Sequence, residues 1–109
     1  MQLDETRFHG LADALLDRIA EAVDAALGDD IDVETQGGVV TLSIEGGGQY
    51  VLNKHAPNRE LWLSSPVSGA WHFSSSEDGE WISTREPRVR LITLLSGELA
   101  TRFGVDPGF

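Results

Sequence analysis

The chain has 109 residues, of which 40% are hydrophobic and 24% charged, and its formal net charge is −10. This length and composition predict one folded domain, 1–109, and exclude a membrane span, because no window approaches the roughly 20 apolar residues that a bilayer requires. Cysteine is absent, which excludes disulfides and thiolate metal sites. The acidic start does not resemble an export signal, so we expect a cytoplasmic protein.

The negative charge is concentrated in the first third of the chain. Residues 1–34 hold ten acids against two arginines, a net charge of −8, whereas residues 35–109 carry a net charge of −2. A surface that binds phosphate groups has the opposite sign, so we expect no binding to nucleic acid and none to a membrane. Cations and basic protein surfaces are the expected partners.

The first predicted element is an amphipathic helix. Apolar residues recur with i, i+3, i+4 spacing from Phe8 to Leu27, which is typical of a helix with one buried stripe. We predict that this helix begins near Asp4, with Asp4 or Thr6 as its cap, and that it ends at Gly28, a residue that tolerates a positive φ.

Short segments rich in β-branched and aromatic residues follow, and turn residues separate them. The predicted strands are 31–36, 39–45, 49–54, 60–64, 70–74 and 80–83. The connections Gly37-Gly38 and 46–48, together with a turn at 77–79, favour antiparallel hairpins. Trp81 on the last strand is the tryptophan most expected in the core.

A second amphipathic helix is predicted from near Pro87 to Gly104, with an apolar stripe that runs from Leu91 to Phe103. Two such helices must bury their stripes against the strands. We therefore predict an α+β fold, a two-layer α/β sandwich in which both helices pack on one face of an antiparallel sheet of about six strands. The other face of the sheet is then open to solvent.

Clustered acids predict a cation site on the first helix and first strand. The helical acids are four, four and three residues apart, so they line one side of the helix. We call the following carboxylates the acidic edge: Asp13, Asp17, Glu21, Asp24, Asp29, Asp30, Asp32 and Glu34. His9, one turn before Asp13, could add a nitrogen ligand. Carboxylates suit hard cations in an exposed, weak site, although a solvated face that only maintains solubility would have the same pattern.

Alternation along the strand 60–64 predicts that Trp62 lies on the open sheet face, since Leu61 and Leu63 point the other way. An exposed tryptophan is a favoured anchor for protein contact. The polar residues expected around it are Asn53, His55, Arg59 and His72. His72 has no candidate nucleophile beside it, and the chain contains neither a G-x-S-x-G motif nor a phosphate loop, so no catalytic role is expected.

Several segments resemble the frataxin family. They are 50–69 (YVLNKHAPNRELWLSSPVSG), 31–34 (IDVE) followed by Gly37-Gly38-Val39, 79–82 (GEWI), and the opening 8–13 (FHGLAD), which is similar to the bacterial members. The resemblance covers essentially the whole chain in order. It implies a non-enzymatic protein that binds iron, Fe2+ or Fe3+, weakly at its surface. It also implies a role in iron–sulfur cluster assembly, as iron donor, as regulator of the cysteine desulfurase and its scaffold protein, or as both.

The resemblance also implies which residues act. The family's iron ridge matches Glu21, Asp24, Asp30, Asp32 and Glu34, and its partner-binding sheet matches Asn53, His55, Trp62 and His72. His55 stands where the family usually has glutamine. The segment 24–27 is less acidic than is common in the family, and Asp17 on the same stripe would compensate. The family's tail covers the groove between the helices, so the short segment 104–109 predicts modest stability unless Val105 or Phe109 fills that groove.

Two other functions fit the same residues. A ferroxidase or iron-storage protein would hold Fe2+ on exposed carboxylates for oxidation, although ferritin-like centres lie inside a helix bundle. An acidic protein-binding module that is indifferent to metal would use the same surface. In each case like-charge repulsion favours a monomer, and bound metal would be able to bridge copies into oligomers.

Overall fold

Two helices bracket six strands in the computed structural model, which describes residues 4–75 and 78–109. The elements are α1 (Glu5–Leu27), β1 (Ile31–Gln36), β2 (Val39–Ile44), β3 (Gln49–His55), a short 3-10 helix (Ala56–Asn58), β4 (Glu60–Ser65), β5 (Gly69–Ser75), β6 (Trp81–Ser83) and α2 (Leu91–Phe103). The predicted fold class is confirmed, and the strand limits agree with prediction to within one residue. The predicted turn at 77–79 includes Glu77, which lies outside the described residues.

The strands form one antiparallel sheet whose order, β1 to β6, is the order of the chain. The β1–β2 turn needs both of its glycines, because Gly37 and Gly38 have φ of +56° and +80°. Two successive positive φ values give a mirror-image turn whose twist matches that of the paired strands. This turn fixes the β1–β2 register from Gln36 opposite Val39 to Ile31 opposite Ile44.

The apolar stripe of α1 packs on one face of the sheet. Asp4 caps the helix as predicted, since its Oδ1 accepts a hydrogen bond from the Arg7 N–H at 2.7 Å. The buried residues of α1 are Phe8, Ala12, Leu15, Leu16, Ile19, Val23 and Leu27, and those of α2 are Leu91, Leu95 and Leu99. Trp81 is only 4% exposed and makes an edge-to-face contact with Phe8 at 6.1 Å, which confirms its expected place in the core.

Two predictions at helix ends were wrong in detail. The first helix ends before Gly28 as expected, but Gly28 has a φ of −60° rather than a positive one. A side chain is excluded there for another reason, because a Cβ would lie 2.5 Å from the carbonyl oxygen of Asp24. The second helix does end at Gly104, which has the left-handed φ of +70°.

The start of α2 lies at Leu91, not near Pro87. The buried hydroxyl of Ser83 explains the delay, because it holds the preceding segment in a loop. The Ser83 Oγ–H has two carbonyl acceptors, Arg85 at 3.0 Å and Pro87 at 2.8 Å. The same Oγ accepts a hydrogen bond from the Val89 N–H at 3.1 Å. These hydrogen bonds satisfy the backbone groups of the loop through a side chain, in place of the backbone hydrogen bonds of a helical turn.

The C-terminal segment reaches the groove between the helices through Phe109. This ring packs against the core and lies with Arg18 of α1 and Ile92 of α2 around one cavity, whereas Val105 remains 41% exposed. Of the two residues expected to fill the groove, Phe109 is therefore the one that reaches it. Neither helix in the described ranges is both long and apolar enough to cross a membrane.

Candidate functional site

The sheet face opposite the helices carries the predicted partner-binding residues. Strand register places Asn53 opposite Trp62, and Trp62 opposite His72, so the three side chains share this face. Asp32 and Glu34 of β1 reach the same face, because Glu34 pairs with Thr41 and Thr41 with Val51, two residues before Asn53. We call this surface the open face. One end of the acidic edge therefore belongs to it.

Trp62 lies between two imidazole rings. The His55 ring stacks on one side of the indole at a centroid distance of 3.8 Å and an angle of 10°, and the His72 ring stacks on the other at 4.3 Å and 8°. The stack links three adjacent strands, since His55 is on β3 and His72 is on β5. Such stacking fixes the indole plane across the open face while leaving it partly accessible to a partner.

Glu60 is a member of this group that the sequence reasoning missed. Its Oε1 accepts a hydrogen bond from the Trp62 Nε1–H at 2.8 Å and lies 3.8 Å from His72 Nδ1. The strand period of two could have found it, because Glu60 precedes Trp62 by two residues and must share its face. Only 16% of its side chain is exposed, so the carboxylate orients the ring from below the surface.

The other polar residues expected near Trp62 differ in their contacts. Asn53 donates from Nδ2 to the Lys54 carbonyl at 3.3 Å. Arg59, in a left-handed conformation with a φ of +53°, turns its Nη1 to the Ala56 carbonyl. His55 Nδ1 and Arg59 Nε are buried without a hydrogen-bond partner among the described residues. Unsatisfied buried donors or acceptors carry a free-energy cost, which a partner or a water molecule would relieve.

All eight carboxylates of the acidic edge belong to exposed residues. The helical members follow α1, Asp29 and Asp30 occupy the turn after it, and Asp32 and Glu34 continue along β1. Within residues 4–75 and 78–109, no three histidine or acidic side chains converge closely enough to hold one metal ion together. The acidic edge is thus an open row of charges.

The first turns of α1 differ from this pattern, because Lys54 occupies the space between two of the predicted ligands. Its Nζ lies 2.7 Å from Asp13 Oδ1 and 3.1 Å from His9 Nδ1, and the lysine side chain is only 19% exposed. His9 Nε2 is also 3.8 Å from Glu5 Oε1. Asp13 and His9 therefore already bind a cation of the protein's own, whereas the remaining acids of the edge lie farther along the helix and on β1.

Comparisons with known proteins show which family the chain resembles. Residues 1–105 match the family model described as "Frataxin-like domain". The "Iron-sulfur cluster assembly protein CyaY" of Vibrio cholerae serotype O1 is 48% identical over 96 residues, 88% of each chain.

Two solved structures share the fold. Frataxin from Psychromonas ingrahamii gives a TM-score of 0.82 at 26% identity, covering 98% of this chain and all of the other. Trimeric frataxin from the yeast Saccharomyces cerevisiae, in a ferrous complex, gives a TM-score of 0.71 at 37% identity, covering 96% and 90%. Because the family model matches nearly the whole length of the chain, this chain belongs to the frataxin family.

Proposed function

We propose that this protein binds iron at its acidic edge and acts, without catalysis of its own, in iron–sulfur cluster assembly. It does so as an iron donor, as a regulator of the cysteine desulfurase and scaffold complex, or as both. The observation that carries the proposal is the position of Trp62. An ordered, partly exposed indole on the open face, on the same surface as Asp32 and Glu34, lets one partner contact an aromatic anchor and a row of carboxylates together.

Several similarities support the iron and partner parts of this proposal. The relative at 48% identity is named for iron–sulfur cluster assembly, and the yeast relative was solved in a ferrous complex. Exposed carboxylates bind hard cations weakly and exchange them readily. A basic protein surface would be attracted by the same charges, so iron and the desulfurase would compete for part of the acidic edge. We take the working form to be a cytoplasmic monomer, which bound iron would be able to assemble into oligomers.

Calorimetry with the desulfurase, with and without Fe2+, tests the proposal. The variant Glu21→Gln with Asp24→Asn should bind the desulfurase more weakly and should lose the Fe2+-dependent NMR line broadening along α1. The matched control, Glu80→Gln with Asp106→Asn, removes the same charge from exposed residues away from the acidic edge and should change neither property.

The outcomes separate the alternatives. If the α1 variant docks more weakly but the original chain binds no iron, the protein is a metal-independent binding module. Saturable Fe2+ oxidation that disappears in that variant would favour a ferroxidase. Unchanged docking and unchanged iron binding in the α1 variant would overturn the proposal.

A further inference from the structure

A notch lies at the β6 side of the sheet, beside the open face. Because β6 has only three residues, it pairs with β5 from Phe73 to Ser75 and leaves the first half of β5 uncovered. The last bond between the two runs from the Thr84 N–H to the His72 carbonyl at 2.8 Å, after which the chain turns away. The gap is a cavity of about 240 Å³ between residues 68–72 and 83–87.

Unpaired backbone groups face this notch. In an antiparallel sheet, alternate residues of a strand bond to alternate neighbours. His72 bonds toward β6, so Ala70, two residues earlier, points its N–H and C=O in the same direction, where no strand lies opposite. In the described part of the chain, Ala70 is exposed and makes no hydrogen bond on that side. The notch thus presents the donor and acceptor with which another strand could continue the sheet.

The opposite wall of the notch carries one carboxylate, Glu86, and one guanidinium, Arg85, and of these two only the carboxylate is paired within residues 4–75 and 78–109. Arg88 bonds to the Ser83 carbonyl and lies 3.4 Å from Glu86, and Arg90 pairs with Glu80 at 3.2 Å. Arg85, in contrast, is exposed and has no carboxylate partner among the described residues. A carboxylate is the group that complements a free guanidinium at close range.

The notch also adjoins the surface around Trp62. A shallow depression of about 150 Å³ on the open face is lined by Asn53 and Trp62 and shares Ala70, Trp71 and His72 with the notch. A protein that covers Trp62 would therefore meet the notch without any rearrangement of the sheet.

We propose that the notch receives an extended segment of the partner that docks on the open face, through backbone hydrogen bonds to Ala70 and one acidic side chain at Arg85. This inference rests on the proposed function for the identity of the face. That the segment is extended and acidic is inferred separately, from Ala70 and Arg85. The partner would be basic opposite the acidic edge and acidic opposite Arg85. Since five strand spacings separate β1 from β6, the two patches lie about 24 Å apart.

A blocked peptide of alternating valine and glutamate serves as the probe, and a valine–lysine peptide is its control. In NMR titrations the glutamate peptide should shift the amide signal of Ala70 and saturate, and the lysine peptide should not. Arg85→Glu should weaken the binding by about fivefold, the upper range for an exposed ion pair. Arg102→Glu makes the same charge change elsewhere on the molecule and should have no effect.

Ala70→Pro removes the unpaired N–H without removing a bond to β4, and it should abolish peptide binding at an unchanged unfolding temperature. If this variant does not fold, the two arginine variants still decide the question. Equal binding of both peptides, equal effects of Arg85→Glu and Arg102→Glu, or an unshifted Ala70 would each overturn the inference. A peptide that fails while Trp62→Ala still weakens desulfurase binding would overturn the notch alone and leave the proposed function intact.

Discussion

At the residue scale, Trp62 is an anchor that is ordered before any partner arrives. Imidazoles stack on both faces of its ring, and Glu60 holds its Nε1–H at 2.8 Å. A side chain held in its binding orientation loses little rotamer entropy when it binds. The two histidines thus reduce the free-energy cost of docking even where they touch the partner only at their edges.

Trp62→Ala should weaken binding of the desulfurase by about 2 kcal/mol, as for an aromatic hot spot, because both the contact area and the fixed orientation are lost. Calorimetry measures this change, and thermal unfolding serves as the control. Trp62→Phe keeps an aromatic ring in the stack but removes the Nε1 donor, so its affinity should be intermediate. A large fall in the unfolding temperature of Trp62→Ala would contradict the surface role and place Trp62 in the core.

Lys54 is the second residue with a defined local role, because its Nζ neutralises Asp13 at 2.7 Å and contacts His9. Lys54→Met should lower the free energy of unfolding by about 1 kcal/mol, as expected for an ion pair with one half-buried partner. It should also free both side chains to bind metal, so that Fe2+ broadens the NMR signals of the first turns of α1.

Asp13→Asn is the matched control for this prediction. It breaks the same ion pair and should lower the stability similarly, but it supplies no carboxylate and should leave the first turns of α1 unbroadened. If Fe2+ broadens the His9 signals equally in the original chain and in Lys54→Met, Lys54 does not protect this site.

At the element scale, hydrogen bonds to Glu98 connect α2 to the sheet. Its Oε1 accepts from Tyr50 Oη at 2.8 Å and from Ser65 Oγ at 2.7 Å, and its Oε2 accepts from Ser68 Oγ at 2.6 Å. Burial, and then the bond to the Glu98 carboxylate, raise the pKa of Tyr50 well above its ordinary value of 10.0. The phenol therefore keeps its proton in the folded protein at pH values where the unfolded chain has lost it.

Alkaline pH should destabilise the protein through this residue. Above about pH 10 the unfolded chain binds fewer protons than the folded one, so the free energy of unfolding falls as pH rises, and it is unaffected below that range. Urea unfolding at several alkaline pH values measures the slope. Tyr50→Phe should be less stable near neutral pH, but its free energy of unfolding should fall less steeply as pH rises above about 10. The chain has one tyrosine, so early appearance of tyrosinate absorbance in the folded protein would contradict the prediction.

The helices and strands were predictable from the sequence, but several contacts between them were not. Local periodicity predicted the two helices, the six strands and the face of Trp62, because side-chain direction follows directly from the strand and helix periods. The start of α2 was missed, since the Ser83 hydroxyl that holds the intervening loop acts through contacts up to six residues away. The Lys54 contact with α1 joins residues 45 apart in sequence. Local patterns carry no information on such a contact until the fold is known.

At the scale of the whole molecule, charge has opposite effects on stability and on docking. Of the net charge of −10, −8 lies within residues 1–34, where like charges repel one another in the folded state and attract a basic partner from a distance. Moderate NaCl should therefore raise the unfolding temperature and, in the same range, weaken desulfurase binding by slowing association. Stopped-flow mixing and thermal scans over one salt series test both signs. Two trends in the same direction would contradict this account.

The simple strand order of the sheet has a consequence for how the protein folds. Each strand pairs with the next along the chain, so each hairpin closes a short loop and can form early at little cost in chain entropy. The contact between Phe8 on α1 and Trp81 on β6 is different, because it brings together opposite ends of the sequence. Slow steps in folding should accordingly belong to the closing of this core across the finished sheet, and not to the assembly of the strands.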